Sequence, residues 1–557
     1  MKKKTILLLF ILSILVFLLI PSFWRMLKPG IFSMHDFHVF RLFEFNLCLQ
    51  DLHFPCRWAP DSAFQYGEPL FNFYGQFPYL LGEPFVIAGL SIINTIKFLF
   101  IFSLVGSAIT MFFFVRYFFK SNLSAIISSI LYVYAPYRAV DNFVRGALPE
   151  SLAFIFFPLL LLFSLKYIKE EKFKDLLLFS LCLGLLIITH NLSFLMVLPF
   201  LAIFIAYFLT IEKKWFLLKN FILVSFLTLG LTAFYFLPVL FEGRLTTLGK
   251  TTQDYYNLRI HFTTLNQLLI SDEWGYGASV WGTNDNLSFA IGYIQWITSV
   301  LVLLFIILTG KIKKYFYILL FIILGWFALF LTHGKSQPIW DLVKPMSYIQ
   351  FPWRFLSMAT LFFSITGGAA IALFKTRYLR ILITTSVVIL AIGINYTNFR
   401  EDRWFYISDQ EQFSGDRWQE QTASAVNDFW PIYGTKIPTK QAPEKPVFVK
   451  GDGKVIKFEK KSHSANATFF VSSKEAVVQF PIAYFDGWKA SDPKVSIFPS
   501  GEFGQITTTI SEGEHSISLN FTNTFIRTFG NLLSLVSFIL LVLLFIKKST
   551  ISKKNED

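Results

Sequence analysis

The sequence has 557 residues, of which 54% are hydrophobic and only 15% are charged, and phenylalanine alone occurs 68 times. Soluble proteins carry about 25% charged residues, so this composition excludes an ordinary cytosolic enzyme, a disordered chain and a disulfide-stapled secreted domain. The net charge of +14 is typical of a membrane protein with basic cytoplasmic loops, so we expect no nucleic-acid partner. Apolar runs of about 20 residues recur, the length that crosses a bilayer as a helix. We therefore predict a multi-pass protein of the cell membrane.

The first predicted helix begins directly after three lysines and covers the apolar residues 5–20. No small-residue cleavage site follows it, because Pro21 and then bulky aromatic residues come next. Since many apolar runs lie downstream, the pattern predicts an uncleaved helix with its N-terminus in the cytoplasm. Residues 25–93, which we call the first outer loop, are then extracytoplasmic.

Residues 77–93 form a short apolar stretch that Glu83 and two prolines interrupt. If this stretch crossed the bilayer together with the following run up to Phe119, Lys120 and every later basic loop would lie outside. If only the second run crosses, the basic loops all lie in the cytoplasm, as the positive-inside rule requires. We therefore predict an interfacial or re-entrant helix over residues 77–93, about twelve transmembrane helices, and both termini in the cytoplasm.

The predicted fold is an α-helical polytopic membrane protein with a small extracytoplasmic β domain before the last helix. Its parts in chain order are a transmembrane domain (1–396), a β-rich domain (397–525), a last transmembrane helix (526–546) and a cytoplasmic basic tail (547–557). The β domain is predicted because residues 476–484 and 515–521 alternate between apolar and polar positions, and glycine-containing turns separate such stretches. Further outer loops cover residues 136–150 (the second outer loop), 239–292 and 332–352.

Ionisable residues are essentially absent from the interiors of the predicted spans and gather at their outer ends. Ion-coupled transporters usually place charged residues near the middle of the bilayer, so this distribution argues against ion coupling. In the first outer loop, Asp36 follows the membrane exit by a few residues, and Arg41 and Glu44 continue at near-helical spacing. An outer face that carries carboxylates and arginines suits chemistry on a lipid-borne anion.

The second outer loop contains Asp141 and Arg145 four residues apart, so that both side chains share a face on a helix. An ordinary surface ion pair is the commoner meaning of this spacing. Other polar residues at span ends also have structural explanations. His190 can cap a helix, and the neighbours Trp353 and Arg354 can anchor a helix at the membrane surface.

Three cysteines are present, and no Cys-x-x-Cys metal-site spacing occurs among them. Cys48 and Cys56 lie close together in the first outer loop, where they could form a disulfide, while Cys182 lies inside an apolar run. Spacing alone does not fix the distance between Cα atoms. The sequence therefore leaves the pairing of Cys48 and Cys56 open.

Seven segments of the sequence together resemble one known family. They are His35-Asp36-Phe37-His38, Pro55 to Pro60 with Arg57-Trp58, Tyr66-Gly67 to Tyr74, Pro136-Tyr137-Arg138 to Glu150, Thr189-His190-Asn191, Phe351-Pro352-Trp353-Arg354-Phe355, and Tyr484-Phe485-Asp486-Gly487-Trp488-Lys489-Ala490. They resemble the bacterial membrane family labelled 6-pyruvoyl-tetrahydropterin synthase-related, close to YfhO-like proteins, and both look like the GT-C class of integral-membrane glycosyltransferases. The resemblance runs over nearly the whole chain. A soluble pterin synthase needs a histidine-ligated zinc site, and the eight histidines here show no such domain.

The resemblance implies an activity and its partners. GT-C enzymes transfer a sugar from a polyprenyl phosphate or pyrophosphate carrier on the extracytoplasmic side, usually with inversion. The class places an essential acidic residue in the first outer loop, which maps to Asp36, and a second acidic residue that maps to Asp141 or Glu150. Unlike several GT-C families, this sequence has no acidic pair next to Asp36. The implied partners are a polyprenyl-phosphate-linked sugar, a glycan, lipid or protein acceptor, and the lipid bilayer.

Chemistry suggests a role for each candidate residue. An inverting transfer needs a carboxylate that takes the acceptor proton, and we assign this general-base role to Asp36. Arginines suit the leaving lipid phosphate because their planar fork binds phosphate through two hydrogen bonds. The candidate phosphate ligands are Arg41, Arg57, Arg145 and Arg354. Further candidate substrate-binding residues are His38, Tyr74, Arg138, His190, Asn191 and Trp353. Asp36, Asp141 and Glu150 are candidate catalytic carboxylates and candidate oxygen ligands of a divalent cation such as Mg or Mn, and no other cofactor is predicted.

Two other functions fit the same pattern. A flippase or transporter of lipid-linked glycans would share the basic outer face. A non-catalytic scaffold for envelope assembly would keep the fold without needing Asp36. Replacing Asp36 by Asn separates these hypotheses, because an enzyme should lose its activity while still folding, whereas a flippase or a scaffold should keep its function.

Overall fold

The computed structural model describes residues 2–250, 252–282, 285–423 and 429–554. Most of the chain is α-helical, and an antiparallel sheet domain lies between the last two long helices. The helices in chain order are α1 (Lys2–Phe23), α2 (Asp36–Gln50), α3 (Leu70–Phe73), α4 (Phe77–Ile87), α5 (Ile92–Phe119), α6 (Asn122–Val133), α7 (Pro136–Ala139), α8 (Leu148–Glu170), α9 (Phe173–Thr189), α10 (Asn191–Ile211), α11 (Leu218–Leu231), α12 (Ala233–Glu242), α13 (Leu265–Leu269), α14 (Tyr293–Leu308), α15 (Phe316–Thr332), α16 (Gln337–Leu342), α17 (Leu356–Leu373), α18 (Arg377–Asn395), α19 (Asp409–Gln412), α20 (Gly415–Thr422) and α21 (Phe525–Lys554).

Seven helices among the described residues are long and apolar enough to cross a membrane: α1, α5, α8, α10, α17, α18 and α21. The pairs α6 with α7 and α11 with α12 reach this length together but bend by 52° and 76°. If each bent pair is counted as one span, the number of candidate spans is nine. The first bend falls at Pro136, which has no amide hydrogen to continue the helix. The membrane fold is thus confirmed, but not the predicted number of about twelve spans. Twelve would require α9, α14 and α15 to cross as well, and their 16 or 17 residues reach only about 25 Å.

Residues 77–93 contain the 11-residue helix α4, a turn, and the start of α5. A helix of this length measures about 16 Å, roughly half of the apolar thickness of a bilayer. The next helix starts cleanly, because the Ser91 hydroxyl accepts a hydrogen bond from the amide of Asn94 (3.3 Å) and caps α5. The interfacial or re-entrant position of residues 77–93 stays a prediction.

The sheet domain is built around one long antiparallel pair of strands. Two short strands, β1 (Ile31–Phe32) and β2 (Trp404–Phe405), pair with each other outside it. The strands of the domain are β3 (Val447–Lys450), β4 (Gly453–Lys460), β5 (Ser464–Ala483), β6 (Trp488–Ala490), β7 (Ile497–Ser500) and β8 (Gln505–Phe521). β5 pairs with β8, β3 and β4 pair with β5, and β6 and β7 pair with β8. The strands predicted at residues 476–484 and 515–521 lie in β5 and β8, and the prediction of a sheet domain is confirmed.

The sheet begins only at Val447, well after residue 397, where the sequence places the start of the β domain. The intervening stretch contains β2, α19 and α20 and packs on the first outer loop. β2 pairs with β1, and the ring of Trp418 on α20 lies 5.7 Å from that of Phe40 and 5.4 Å from that of Phe43 on α2. This stretch therefore connects the sheet domain to the first outer loop.

A left-handed turn in the first outer loop depends on the later parts of the chain. The three consecutive non-glycine residues 63–65 have φ angles of 54°, 56° and 68°, and each costs about 1–2 kcal/mol in this conformation. The amide of Phe64 donates to the carbonyl oxygen of Thr422 (2.7 Å), and its carbonyl oxygen accepts from the amide of Ala442 (2.8 Å). The Nζ of Lys460 donates to the carbonyl oxygen of Gln65 (2.8 Å). Contacts with three distant segments thus hold the turn.

A disulfide joins Cys48 and Cys56, whose Cα atoms lie 5.9 Å apart. The structure thus contains the pairing that the sequence left open, while Cys182 is a free, buried cysteine. The short loop that the disulfide closes contacts the sheet domain, because the ring of His53 stacks on that of His463 with centroids 4.2 Å apart. The first outer loop and the sheet domain therefore form one packed unit.

Candidate functional site

The second outer loop turns back sharply at the end of the bent pair α6 and α7. After α7 the chain makes one π-helical turn over Val140–Val144, and Gly146 then adopts a φ of 58°. A Cβ atom at Gly146 would lie 2.1 Å from the carbonyl oxygen of Met34, so only glycine allows the first outer loop to approach this closely. α8 then begins with Pro149 in its first turn, where a missing amide hydrogen costs nothing.

This turn buries two carboxylates against one guanidinium group. Arg145 Nη1 donates to Asp141 Oδ1, to Glu150 Oε2 (2.9 Å) and to the Tyr137 hydroxyl (3.3 Å). The Tyr137 hydroxyl in turn donates to Glu150 Oε1 (2.5 Å). The side chains of Asp141 and Glu150 are 0% and 1% exposed, so the pair at four-residue spacing is not an ordinary surface ion pair.

Arg354 joins these residues from the start of α17. Its Nε lies 3.8 Å from Glu150 Oε2, and its Nη1 donates to the carbonyl oxygen of Ile349 (2.8 Å) and to Gln350 Oε1 (3.2 Å). The ring of Trp353 lies under the other arginine, with its centroid 4.7 Å from the guanidinium carbon of Arg145. We call the group Asp141, Arg145, Glu150, Trp353 and Arg354 the arginine cluster.

The arginine cluster and its neighbour Arg138 together have more positive than negative charge. The charged groups that act on Asp141 are Glu150 and the three arginines Arg138, Arg145 and Arg354. Together with Asp141 itself, this gives three guanidinium groups against two carboxylates. An additional anion would therefore meet a favourable field at this position.

Two buried hydrogen-bond donors of the arginine cluster have no partner within the described residues: Nε of Arg354 and Nε1 of Trp353. Their residues are 9% and 3% exposed. Buried donors are nearly always bonded, so a donor without a partner indicates a missing ligand, water or ion. Arg145, for its part, uses only Nη1 for its three hydrogen bonds. These features are typical of an anion-binding site.

Aromatic residues of the loop at 239–292 lie over the arginine cluster. The rings of Tyr255, Tyr256 and His261 contact Phe351, with centroids 6.0, 6.1 and 4.6 Å away. Phe351 stacks in turn on Trp353 at 4.9 Å. The cluster thus borders a layer of aromatic rings. The sequence does not identify Tyr255, Tyr256 and His261 as part of a site, because their loop carries no recognisable motif.

Asp36 begins α2 and lies outside the arginine cluster. Its carboxylate is 22% exposed and forms an ion pair with Arg417 (3.2 Å), and Gln421 Nε2 donates to it as well (3.3 Å). The sequence gives no sign of these two partners, since Arg417 follows Asp36 by 381 residues. The contact exists because the fold packs α20 against α2.

The predicted divalent-cation site is not assembled. The described residues contain no group of three or more His, Cys, Asp or Glu side chains placed to hold a metal ion. Asp36 is paired with Arg417, whereas Asp141 and Glu150 share the positive charge of Arg145. A cation between Asp141 and Glu150 would have to compete with that guanidinium group, so these residues do not fit a dedicated metal site.

The start of α2 is bound to the second outer loop by two histidines. His35 Nε2 lies 2.6 Å from the carbonyl oxygen of Asn142, and His38 Nε2 lies 2.7 Å from that of Gly146. Burial, followed by the charge of Arg41, lowers the pKa of His38 well below its ordinary value, which keeps the ring neutral. His38, a predicted substrate-binding residue, is fully buried and instead holds the two outer loops together.

Arg41 and Tyr74 contact each other near this junction. The guanidinium carbon of Arg41 lies 4.1 Å from the centroid of Tyr74 and 5.1 Å from that of Phe37. Arg41 is only 6% exposed, so its charge lies between aromatic faces. His190 caps α10, because its Nδ1 accepts a hydrogen bond from the backbone amide of Ser193 (3.3 Å), as the structural interpretation of the sequence expects.

His190 and Asn191 lie at the junction between α9 and α10. The ring of His190 interacts electrostatically with Glu150, Arg354 and Arg145. The structure thereby places His190 beside the arginine cluster, and its substrate-binding role stays a prediction. Asn191 is the first residue of α10, directly next to it.

Arg57 is a predicted phosphate ligand, but its donors are already used. Nε, Nη1 and Nη2 donate to the side-chain oxygens of Asn523 (3.1 Å), Asn72 (2.9 Å) and Asn531 (2.8 Å), respectively. Both Nη atoms also reach the carbonyl oxygen of Phe234 (3.3 Å). Arg57 thus connects the first outer loop to α12 and α21 and has no donor left for a phosphate.

Arg138, a predicted substrate-binding residue, also has a structural position. Its side chain is fully buried, and its guanidinium carbon lies 3.9 Å from the centroid of Phe154. It donates to the carbonyl oxygens of Ser151 and Ser103 and to the Ser107 hydroxyl, at 3.3 to 3.4 Å. Arg138 packs between α5 and α8 and contributes its charge rather than its donors to the arginine cluster.

The fold and the site together define a polytopic α-helical membrane protein with a sheet domain and a buried arginine cluster where several apolar helices end. A model of the 6-pyruvoyl-tetrahydropterin synthase-related family, described as membrane proteins, matches residues 71–399, more than half of the chain. The protein belongs to this family, which confirms the resemblance found in the sequence.

Comparisons with solved structures and with curated proteins provide less information about the function. The apo crystal structure of the Archaeoglobus fulgidus oligosaccharyltransferase is similar with a TM-score of 0.33 and 13% sequence identity, covering 74% of this chain. The chain spans only 56% of the length of that protein. Similarity at this level does not establish a shared activity. Among curated proteins no sequence matches.

Proposed function

We propose that the protein is a glycosyltransferase that moves a sugar from a polyprenyl-phosphate carrier to a glycan, lipid or protein acceptor on the extracytoplasmic side of the membrane. The observation that carries this proposal is the arginine cluster, in which Arg354 and Trp353 keep buried donors without partners among the described residues. The resemblance of the sequence segments to GT-C enzymes supports the same conclusion.

The position of the arginine cluster fits a substrate that is held in a membrane. Glu150 lies in the first turn of α8, Arg354 directly precedes α17, and His190 directly precedes α10. All three residues are thus at the ends of apolar helices, and in this proposal they lie at the level of the lipid head groups. A polyprenyl phosphate can bring its anion to this position while its chain stays in the bilayer.

The proposed transfer forms one bond at the anomeric carbon and breaks another. Asp36 takes the proton of an acceptor hydroxyl, whose oxygen forms a new bond to the anomeric carbon. The bond from that carbon to the phosphate oxygen breaks, and its electron pair leaves with the lipid phosphate. Arg145 and Arg354 stabilise the charge that develops on this phosphate through charge-assisted hydrogen bonds. Attack from the face opposite the phosphate inverts the anomeric centre.

The aromatic residues over the arginine cluster have a role in this proposal. Guanidinium groups that lie against rings, as Arg145 does on Trp353, are shielded from water, which strengthens their interaction with an anion. Tyr255 and Tyr256 contact Phe351 next to the arginine cluster, and in this proposal they pack against the sugar on the phosphate. The proposed donor site thus consists of two arginines at its base and rings at its entrance.

Mass spectrometry of polyprenyl-phosphate-linked sugars tests the proposal. Membranes would be taken from cells that carry the wild-type protein, a deletion, Asp36→Asn or Arg354→Met, at matched protein levels. We expect one lipid-linked sugar to accumulate in the deletion and in both variants, since the donor is made but not used. The mass of that lipid would also identify the sugar.

A matched control comes from Arg259, an exposed arginine of the loop at 239–292 that pairs with Asp341 at the surface. Arg259→Gln should leave the lipid-linked sugars at the wild-type level. Unchanged pools in the deletion itself would exclude this donor class and favour a scaffold. Accumulation in the deletion but not in Asp36→Asn would exclude Asp36 as the base and favour a flippase.

A further inference from the structure

The two oxygens of the Asp36 carboxylate have different surroundings. Arg417 Nη2 (3.2 Å) and Gln421 Nε2 (3.3 Å) both donate to Oδ2. Oδ1 accepts from the backbone amide of Phe37 (3.2 Å). The two side chains of α20 therefore hold one oxygen, while the other has, among the described residues, only a backbone partner next to it in the chain.

Arg417 is itself fixed from several directions. Its Nε donates to Gln412 Oε1 (3.3 Å) and its Nη1 to Glu420 Oε2 (3.1 Å). Its guanidinium carbon lies 4.4 Å from the centroid of Phe405. Phe405 is in β2 and pairs with Ile31 of β1, five residues before Asp36. The guanidinium group and the carboxylate are thus held by the same small piece of structure.

We infer that Arg417 is a positioning residue for the Asp36 carboxylate, which it holds by Oδ2 so that Oδ1 is directed to the acceptor hydroxyl. This inference rests on the proposed function, because it gives Asp36 the role of general base. Rotation of a carboxylate about its own axis would move the reactive oxygen by an ångström or more. Fixing one oxygen removes that freedom before the acceptor binds, which is the usual contribution of a positioning group.

The docking of α20 on α2 does not depend on Arg417. Trp418 contacts Phe40 and Phe43, and Phe413 stacks on Phe43 with centroids 4.4 Å apart. These apolar contacts keep α20 in place when the charge of Arg417 is removed. Arg417→Gln should therefore fold normally, and its effect can be separated from a loss of packing.

The experiment compares four variants: Asp36→Asn, Arg417→Gln, Arg417→Lys and Arg403→Gln. The lipid-linked sugar that accumulates in Asp36→Asn cells serves as the donor for the purified, full-length proteins. We expect Arg417→Gln to lower kcat by about 10²-fold, the typical cost of a reacting group displaced by about 1 Å, with KM for the donor nearly unchanged. Arg417→Lys should recover part of kcat, because it restores a cation next to Oδ2.

Arg403→Gln is the matched control, because it removes the same charge from the stretch before β2, at a side chain that is 77% exposed and pairs with the exposed Asp402. It should keep the wild-type kcat. A wild-type kcat for Arg417→Gln, with Asp36→Asn inactive, would overturn the inference and leave the proposed function standing. A low kcat in Arg417→Gln without recovery in Arg417→Lys, or with a lower thermal midpoint, would indicate a structural ion pair and also overturn it. Normal lipid pools in Asp36→Asn cells would overturn both.

Discussion

The protein contains two sites with buried arginines, Arg57 and the arginine cluster, and the two sites differ in the hydrogen bonds that their guanidinium groups make. Arg57 gives every nitrogen of its guanidinium group to the protein, through three asparagine oxygens and one backbone carbonyl. In the arginine cluster, Arg145 makes all its hydrogen bonds through Nη1. Nε of Arg354 has no hydrogen-bond partner among the described residues. The first arrangement is complete without a ligand, and the second one is not.

The comparison shows why burial and charge alone do not identify a binding arginine. Arg57 is 1% exposed and Arg354 is 9% exposed, so both would pass the same simple test. The two arginines differ in the groups that surround their guanidinium nitrogens. The amide and carbonyl oxygens around Arg57 are neutral and saturate its guanidinium group, whereas the arginine cluster and its neighbour Arg138 place three guanidinium groups beside two carboxylates. A protein that only needed a cross-link would be expected to use the first arrangement.

The largest effect should follow from removing the donors of Arg354. Arg354→Met keeps the volume of the side chain but cannot bind a phosphate, so sugar transfer should fall by about 10²- to 10³-fold, the usual loss when one stabilising donor is removed. The rate would be measured in membranes with the lipid-linked donor. A thermal midpoint close to that of the wild type should accompany this loss, and a wild-type transfer rate would contradict the comparison.

Arg57→Met should have the opposite profile. It leaves four buried oxygens without their donor, which should lower the free energy of unfolding by about 3 kcal/mol. Thermal unfolding of the purified protein in detergent would measure this change. The transfer rate per folded molecule should stay at the wild-type value, and Arg57→Lys should recover only part of the stability because a single ammonium group cannot reach all four oxygens.

A smaller effect is expected on the pH dependence of stability, through His53 next to Arg57. Burial, then the charges of His463 and Arg57, lowers the pKa of His53 from 6.5 to about 4. The unfolded chain therefore binds this proton at a higher pH than the folded protein does, so stability should fall as the pH drops from about 6.5 to about 4 and stay constant above 6.5. Thermal midpoints at pH 7.5 and 5.0 would show this, and His53→Gln should lose this part of the pH dependence.

The smallest effect is expected for an arginine outside both sites. Arg259 and its partner Asp341 are 57% and 48% exposed, and exposed ion pairs contribute about 0–1 kcal/mol. Arg259→Gln should therefore change neither the thermal midpoint nor the transfer rate by a measurable amount. A clear loss of activity in this variant would mean that the outer face acts through its total charge and not through the arginine cluster.

The sequence predicts the membrane fold, the sheet domain and the pair of Asp141 and Arg145, because these depend on local patterns of hydropathy and spacing. The predicted number of about twelve spans is not confirmed, because α9, α14 and α15 have only 16 or 17 residues. The asparagine partners of Arg57 could not be found either, because they come from segments up to 474 residues away. The same holds for Arg417, which reaches Asp36 only through the packing of α20 on α2.

The left-handed turn at residues 63–65 has a consequence for how the protein is made. Lys460, which holds this turn, follows Gln65 by 395 residues. At a synthesis rate of about 5–20 residues per second, the segment with Lys460 emerges roughly 20 to 80 s later. During that interval the first outer loop is already translated but lacks the contacts that fix its final shape. Biogenesis of this protein therefore ends with a late assembly step, and a chain that stops before the sheet domain would leave Asp36 in an unfinished loop.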